Sequence, residues 1–239
     1  MEKATNARAL RLGRMAAAAL AVLLSSAAPA QTPGPTAGDT YVYRLVNGYN
    51  KEELARILFE VEKVDGGNVT LAVTPDKADG GVARTDVHTR EGNWLRHPVE
   101  SHGQAIEYVF ATAYPAYVFP LDPGKAWSVR VPASVAASGQ RRSVRVDGRV
   151  MGTERVRVPA GEFDTVKIRR LVYPDDERFT LSETQITEFD WYAPSLGRAV
   201  RTERRSDWLD TSECGEDGGC DFRGGWHVYE LVEAKPAKR

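Results

Sequence analysis

Arg56-Ile-Leu-Phe-Glu-Val-Glu-Lys-Val64, Asp65-Gly66-Gly67-Asn68, Val69-Thr-Leu-Ala-Val-Thr74 is the stretch that decides the fold class. Two runs rich in β-branched and aromatic residues flank a glycine turn, which is the pattern of a β-hairpin. A helix competes over Lys51 to Val61, with Leu54, Ile57, Leu58 and Val61 on one face and Asn50 as cap. The turn that follows directly favours strand from Arg56.

The same period-two alternation recurs in both directions. Upstream, Tyr41 to Val46 ends at the turn Asn47-Gly48. Downstream, Val82 to Arg90 and Asn93 to Val99 flank Glu91-Gly92. Ala126 to Val131 follows the turn Asp122-Pro123-Gly124. Arg142 to Arg149 and Arg155 to Val158 read as separate strands, with a turn at Asp147-Gly148. Phe163 to Val172 pairs back across Pro159-Ala160-Gly161. Thr180 to Tyr192, Arg198 to Trp208 and Trp226 to Val232 complete about a dozen strands. Residues 39–232 form one β-rich domain, with halves 39–107 and 120–232 joined by the aromatic segment 108–119. The halves look weakly alike: Gly38 to Leu45 is echoed by Gly124 to Val131. The expected fold is all-β and antiparallel, a half-barrel or sandwich of one sheet or two similar curved sheets. The charged tail 233–239 reads as disordered.

The first 30 residues have the parts of a secretory signal peptide. Lys3, Arg8, Arg11 and Arg14 precede the uncharged run Met15 to Leu24, which is too short to span a bilayer, and Ala28-Pro29-Ala30 ends it. Cleavage near Ala30 leaves about 209 residues, opening with a Pro/Gly linker at 31–38. The whole 239-residue chain has a formal charge of −1. The leader's four cations against Glu2 give it +3, so the remainder stands at −4. That balance gives no electrostatic case for nucleic acid or an anionic membrane, and nothing after residue 30 approaches a transmembrane run. The expected location is periplasmic or secreted. Cys214 and Cys220, the only cysteines, read as a disulfide pinning a hairpin tip in an oxidising compartment.

The second half carries a resemblance. Phe119-Pro-Leu-Asp-Pro-Gly-Lys-Ala-Trp127, Gly152 to Ile168 around Pro159-Ala160-Gly161, and Phe189-Asp-Trp-Tyr-Ala-Pro-Ser-Leu-Gly197 are similar to the TapB-like domains of unknown function, exported bacterial β proteins. The resemblance covers roughly residues 115–205. It implies an antiparallel half-barrel or sandwich in a Gram-negative envelope, and brings no activity or catalytic residue.

Chemistry-bearing residues are sparse. His97 and His102 with Glu100 suggest a metal site, but no helix aligns them, and His88, His97, His102 and His227 read as scattered surface histidines. Asp207, Asp210, Glu213, Glu216, Asp217 and Asp221 form an acidic stretch that matches no calcium loop. Asp175-Asp176-Glu177 reads as a solvated turn rather than a glycosidase pair. No Gly-x-Ser-x-Gly or Ser-x-x-Lys motif is present. No catalytic residue, metal ligand or cofactor is therefore assigned.

One feature invites a ligand. Tyr108, Phe110, Tyr114, Tyr117 and Phe119 form an aromatic strap that either plugs a curved sheet or lines a groove for an apolar ligand. The function expected is that of a non-enzymatic envelope protein binding an apolar ligand, lipid, peptide or envelope partner in a concave sheet. The alternatives are an envelope hydrolase with an unrecognised carboxylate site and a structural part of a secretion or surface assembly.

Overall fold

The computed structural model describes residues 34–214 and 220–237. The leader with its cleavage site near Ala30, residues 31–33 of the linker, Glu216, Asp217 and the last two residues lie outside the described residues. Strand β1 is Thr40–Asn47, β2 Glu53–Asp65, β3 Asn68–Pro75, β4 Arg84–Thr89, β5 Trp94–Ser101 and β6 Gln104–Tyr114. Then follow β7 Ala126–Val135, β8 Arg141–Val158, β9 Gly161–Tyr173, β10 Gln185–Ala193, β11 Arg198–Asp210 and β12 Asp221–Lys235.

Each strand pairs antiparallel with its neighbour in the chain, and β1 also pairs with β12, Leu45 facing Tyr229. The sheet therefore closes into a twelve-stranded barrel. This corrects the expected half-barrel or sandwich, and it replaces two curved sheets by one closed one. The cause of the miss is physical. Alternation specifies strands and faces, but the closing pair joins residues such as Arg44 and Glu230, 186 positions apart, and no local pattern encodes that contact.

The deciding hairpin forms as read. Gly66 and Gly67 stand at φ 56° and 89°, the two positive values that a tight type I′ turn needs. Ala55, Ile57 and Val61 are buried on one face of β2. Lys51 has φ 67°, which ends any helix before it starts.

Several boundary expectations change: the joining segment 108–119 is strand β6 as far as Tyr114, and the strand expected from Thr180 begins at Gln185. β8 runs unbroken through Asp147-Gly148, because Gly148 answers a packing need and not a turn. It pairs with Trp127, whose ring carbons lie 2.0–2.2 Å from where a Cβ would stand. The tail is also more ordered than expected: β12 continues to Lys235, and Ala237 N–H donates to Asp39 Oδ1 at 2.8 Å. At the far end of β11 and β12 a Cys214–Cys220 disulfide closes the hairpin tip.

The apolar core falls into three groups of side chains. One gathers Tyr108, Phe110, Tyr114, Val146 and Ile168. A second gathers Ile57, Val69, Leu71 and Val73. A third forms where the tip of the β8–β9 hairpin reaches β12, with Val158, Trp191, Val200 and Leu231 in contact. There Ala160 N–H donates to Leu231 O at 3.0 Å.

Gly148→Val should destabilise the barrel by about 2 kcal/mol, since a branched side chain must expel the Trp127 ring. Its indole N–H bond to Pro115 O, 3.1 Å long, would go with it. The urea midpoint of the variant against the parent checks this.

Candidate functional site: a charged cavity inside the barrel

Inside the barrel lies a cavity of about 800 Å³, in contact with all three apolar groups. Its wall is mixed. Tyr41, Phe59, Leu71, Trp94 and Phe110 supply apolar surface, while buried arginines and carboxylates supply charge.

The charged part begins on β10, where Ile186, Glu188, Asp190 and Tyr192 occupy alternate positions and are all buried. Glu188 and Asp190 therefore project into the barrel together. Arg170 of β9, only 4% exposed, stands between them. It donates to Glu188 Oε2 at 3.1 Å, to Asp190 Oδ2 at 2.7 Å and to Ala116 O at 3.2 Å. Arg204 of β11 donates to the other Glu188 oxygen at 2.7 Å. Thr202 and Tyr117 hydroxyls complete Asp190, at 2.6 and 2.8 Å. Burial opposes ionisation of Glu188, and the Arg204 and Arg170 guanidiniums more than reverse it, bringing its carboxyl down to about 2. Burial pushes the Tyr114 and Tyr117 phenols up, with the Asp190 charge adding at Tyr117.

A second polar group is placed by irregularities in the sheet. The register of β4 against β5 shifts between Val87 and His88, and that of β5 against β6 between Trp94 and Arg96. Such bulges re-aim side chains, and here they let Trp94 and His97, three residues apart, both line the cavity beside His88. The His97 ring stacks on Trp94 at 3.9 Å. His97 Nδ1 lies 3.0 Å from Asp86 Oδ2, and Asp86 also accepts from Arg84 at 3.0 Å. Burial lowers the His97 pKa against the pull of Asp86. The neutral ring then donates its Nδ1–H to the carboxylate. Burial likewise brings His88 down to about 4, opposed by the Thr89 carbonyl and reinforced by the Arg198 charge.

The residues singled out from the sequence distribute as follows. Phe110, Tyr114 and Tyr117 line the cavity. Tyr108 is fully buried in the adjoining core, and Phe119 is 44% exposed, its ring near Tyr117 and Tyr192. The histidines are half-buried, which corrects their reading as surface residues: period-two alternation does not anticipate the bulges that turn His88 and His97 inward. His97 and His102 do not converge. His102 approaches Asp176 at 3.5 Å and Ser182 O at 2.9 Å, while Glu100 accepts from Ser206. Among the described residues no three His, Cys, Asp or Glu side chains are grouped to hold a metal. Asp176 is no solvated loop residue: it is 4% exposed and accepts from Thr184 N–H and Oγ1 at 2.8 and 2.6 Å. Asp207 pairs with Arg205 and Asp210 caps Ser212, so those two members of the acidic stretch have protein partners.

Closed antiparallel barrel, mixed apolar and charged interior: that is the class of protein the geometry defines. The DUF3108-like family matches residues 123–207, somewhat over a third of the chain. Three solved structures are similar to the chain. A protein from Bacteroides fragilis described as exported, with a YmcC-like fold, is 13% identical at TM-score 0.48, covering 84% of this chain and 97% of that one. A protein from Parabacteroides distasonis described as a lipoprotein is 16% identical at TM-score 0.49, with the same coverages. The hypothetical lipoprotein YmcC from Escherichia coli is 12% identical at TM-score 0.43, covering 83% and 85%. No curated protein matches the chain. Among the described residues no helix is long and apolar enough to cross a membrane.

Arg170→Met should cost about 3–5 kcal/mol, because it takes the cation from buried Asp190 and leaves Glu188 with Arg204 alone; chemical denaturation measures it. Stability should also fall on acidification in two windows. Between pH 6.5 and about 4 the unfolded chain protonates His88 while the folded one resists. Between pH 4.5 and about 2 the unfolded chain protonates Glu188 first. His88→Gln should remove up to about 3 kcal/mol of the loss in the upper window only, read from urea midpoints at stepped pH.

Proposed function

We propose that the protein is a non-catalytic binding protein of the bacterial envelope, which holds one apolar-bodied ligand inside its barrel. The observation that carries this reading is the cavity of about 800 Å³ with Tyr41, Phe59, Leu71, Trp94 and Phe110 in its wall. Its size lies in the range of sites that enclose a small ligand, and burial of the ligand's apolar surface supplies the affinity. The aromatic strap thereby becomes one part of a larger lining.

Export is part of the same proposal. It is supported by the leader pattern over residues 1–30, by the Cys214–Cys220 disulfide, and by the TapB-like resemblance over residues 115–205. The outer face carries ion pairs in mid-strand, such as Arg44–Glu230 and Arg145–Asp147, where a membrane-spanning barrel carries an apolar band. A general-acid role for Glu188 in the hydrolase alternative would need its carboxyl protonated near neutrality, and Glu188 is driven the opposite way.

The test is mass spectrometry of solvent extracts from protein purified out of periplasm. An apolar or amphiphilic molecule near one per chain is expected. Leu71→Trp, which pushes a larger ring into the cavity, should lower the amount retained while keeping the parent's circular-dichroism spectrum. Clean, empty parent protein would defeat the proposal.

A further inference from the structure

Five arginines line the cavity, and they differ in how their charge is met. Arg84 lies 3.0 Å from Asp86, Arg96 2.6 Å from Glu107, Arg170 2.7 Å from Asp190 and Arg204 2.7 Å from Glu188. Arg198 has no carboxylate within 4 Å among the described residues. Its guanidinium instead lies over the Tyr41 ring, 3.5 Å from the centroid, with Tyr43 and Phe59 at 5.4 and 6.0 Å. Its Nε–H donates to Tyr43 Oη at 2.9 Å.

This cation is also held in place. Tyr43 hydroxyl donates to Ala199 O at 2.6 Å, which fixes the phenol and aims its lone pair at Arg198. Arg198 opens β11 just after Gly197, whose φ of 65° makes the turn that delivers it. One edge of the fork is thus used by the phenol and one face by the aromatic ring. The two terminal amino groups remain, in the parallel geometry that receives a carboxylate or phosphate bidentately. His88, also in the wall, has its Nδ1 committed to the Thr89 carbonyl and presents no second positive charge near neutrality.

We infer that the ligand is an anionic amphiphile, with its acidic head on the terminal amino groups of Arg198 and its chain along Tyr41, Phe59 and Leu71. This rests on the cavity-binding reading above and narrows it to a chemical class. Fixed donors lower the ordering cost of binding, and a partly dry wall strengthens the ion pair over its value in water. The other four arginines are already matched by the protein's own carboxylates, so the head has one anchoring point.

Equilibrium dialysis of the mature protein against dodecanoate, dodecyl phosphate and 1-dodecanol tests the inference. All three share the chain, and the two acids distinguish a carboxylate head from a phosphate head. At least one acid should bind tenfold or more tighter than the alcohol. Arg198→Gln should bring that acid to within about twofold of the alcohol, and Arg198→Lys should retain part of the preference. Equal binding of alcohol and acids by the parent protein, or a preference that survives Arg198→Gln, overturns the inference and leaves the cavity reading standing. Failure of all three to bind overturns both. Should Arg198→Gln not fold, the acid-to-alcohol ratio of the parent protein decides alone.

Discussion

Arg170 is held between Glu188 and Asp190 at the centre of the barrel wall, and much of the interior follows from that arrangement. A guanidinium with 4% exposure survives only if its donors are met. They are met by two carboxylates of β10 and by the segment after β6, whose Ala116 carbonyl accepts one bond while Tyr117 hydroxyl caps Asp190. The network therefore ties β9, β10 and the strap into one unit. Arg204 and Thr202 extend it to β11. A core of the same volume made from leucine and methionine would be as stable or more so, so stability alone does not account for charges in this wall.

Barrel width explains why there is a wall to line at all. About eight strands enclose an interior that side chains just fill, and sixteen or more leave a water channel. Twelve strands fall between these limits. Large aromatics take up part of the space, with Tyr108, Phe110 and Tyr114 packed in one group and Tyr43 against Phe59 in another. What they leave is a cavity, and its polar and apolar sectors come from different strands. Closure also removes exposed sheet edges, the usual liability of a β protein.

Strand class and several turn positions were legible from local pattern, because the alternation and glycine pairs that encode them are local, whereas the turn expected at Asp147-Gly148 is continuous strand. The hairpin at Gly66-Gly67 and the turn at Pro159-Ala160 formed where the residues indicated. The interior was not legible, for a reason visible in β10. Alternation along Thr180 to Tyr192 marks a strand, but it does not say that Glu188 and Asp190 belong to the inner face. Glu188 and Asp190 face inward because Arg170 compensates them, and Trp191 is buried on the other face against Val158 and Val200. Compensation between strands carries no sequence signature, and neither do the bulges that bring His88 and His97 to the cavity. The strap was visible as a run of rings, yet its division into lining members, a core member and an exposed Phe119 depends on where the chain crosses the barrel.

The charge states of the interior accord with the proposed ligand-holding role. General acid–base work needs a group whose pKa lies near the working pH. Here Glu188 is brought to about 2 and His88 to about 4, and burial drives the Tyr114 and Tyr117 phenols upward. His97 stays neutral against an ionised Asp86. Near neutrality Glu188 is therefore ionised and His88 neutral, so each of these two groups holds one protonation state. Arg198 is the one lining arginine whose charge is met by aromatic rings and a phenol instead of a carboxylate. With the other four lining arginines paired to carboxylates, Arg198 is the lining arginine left to meet the proposed anionic head.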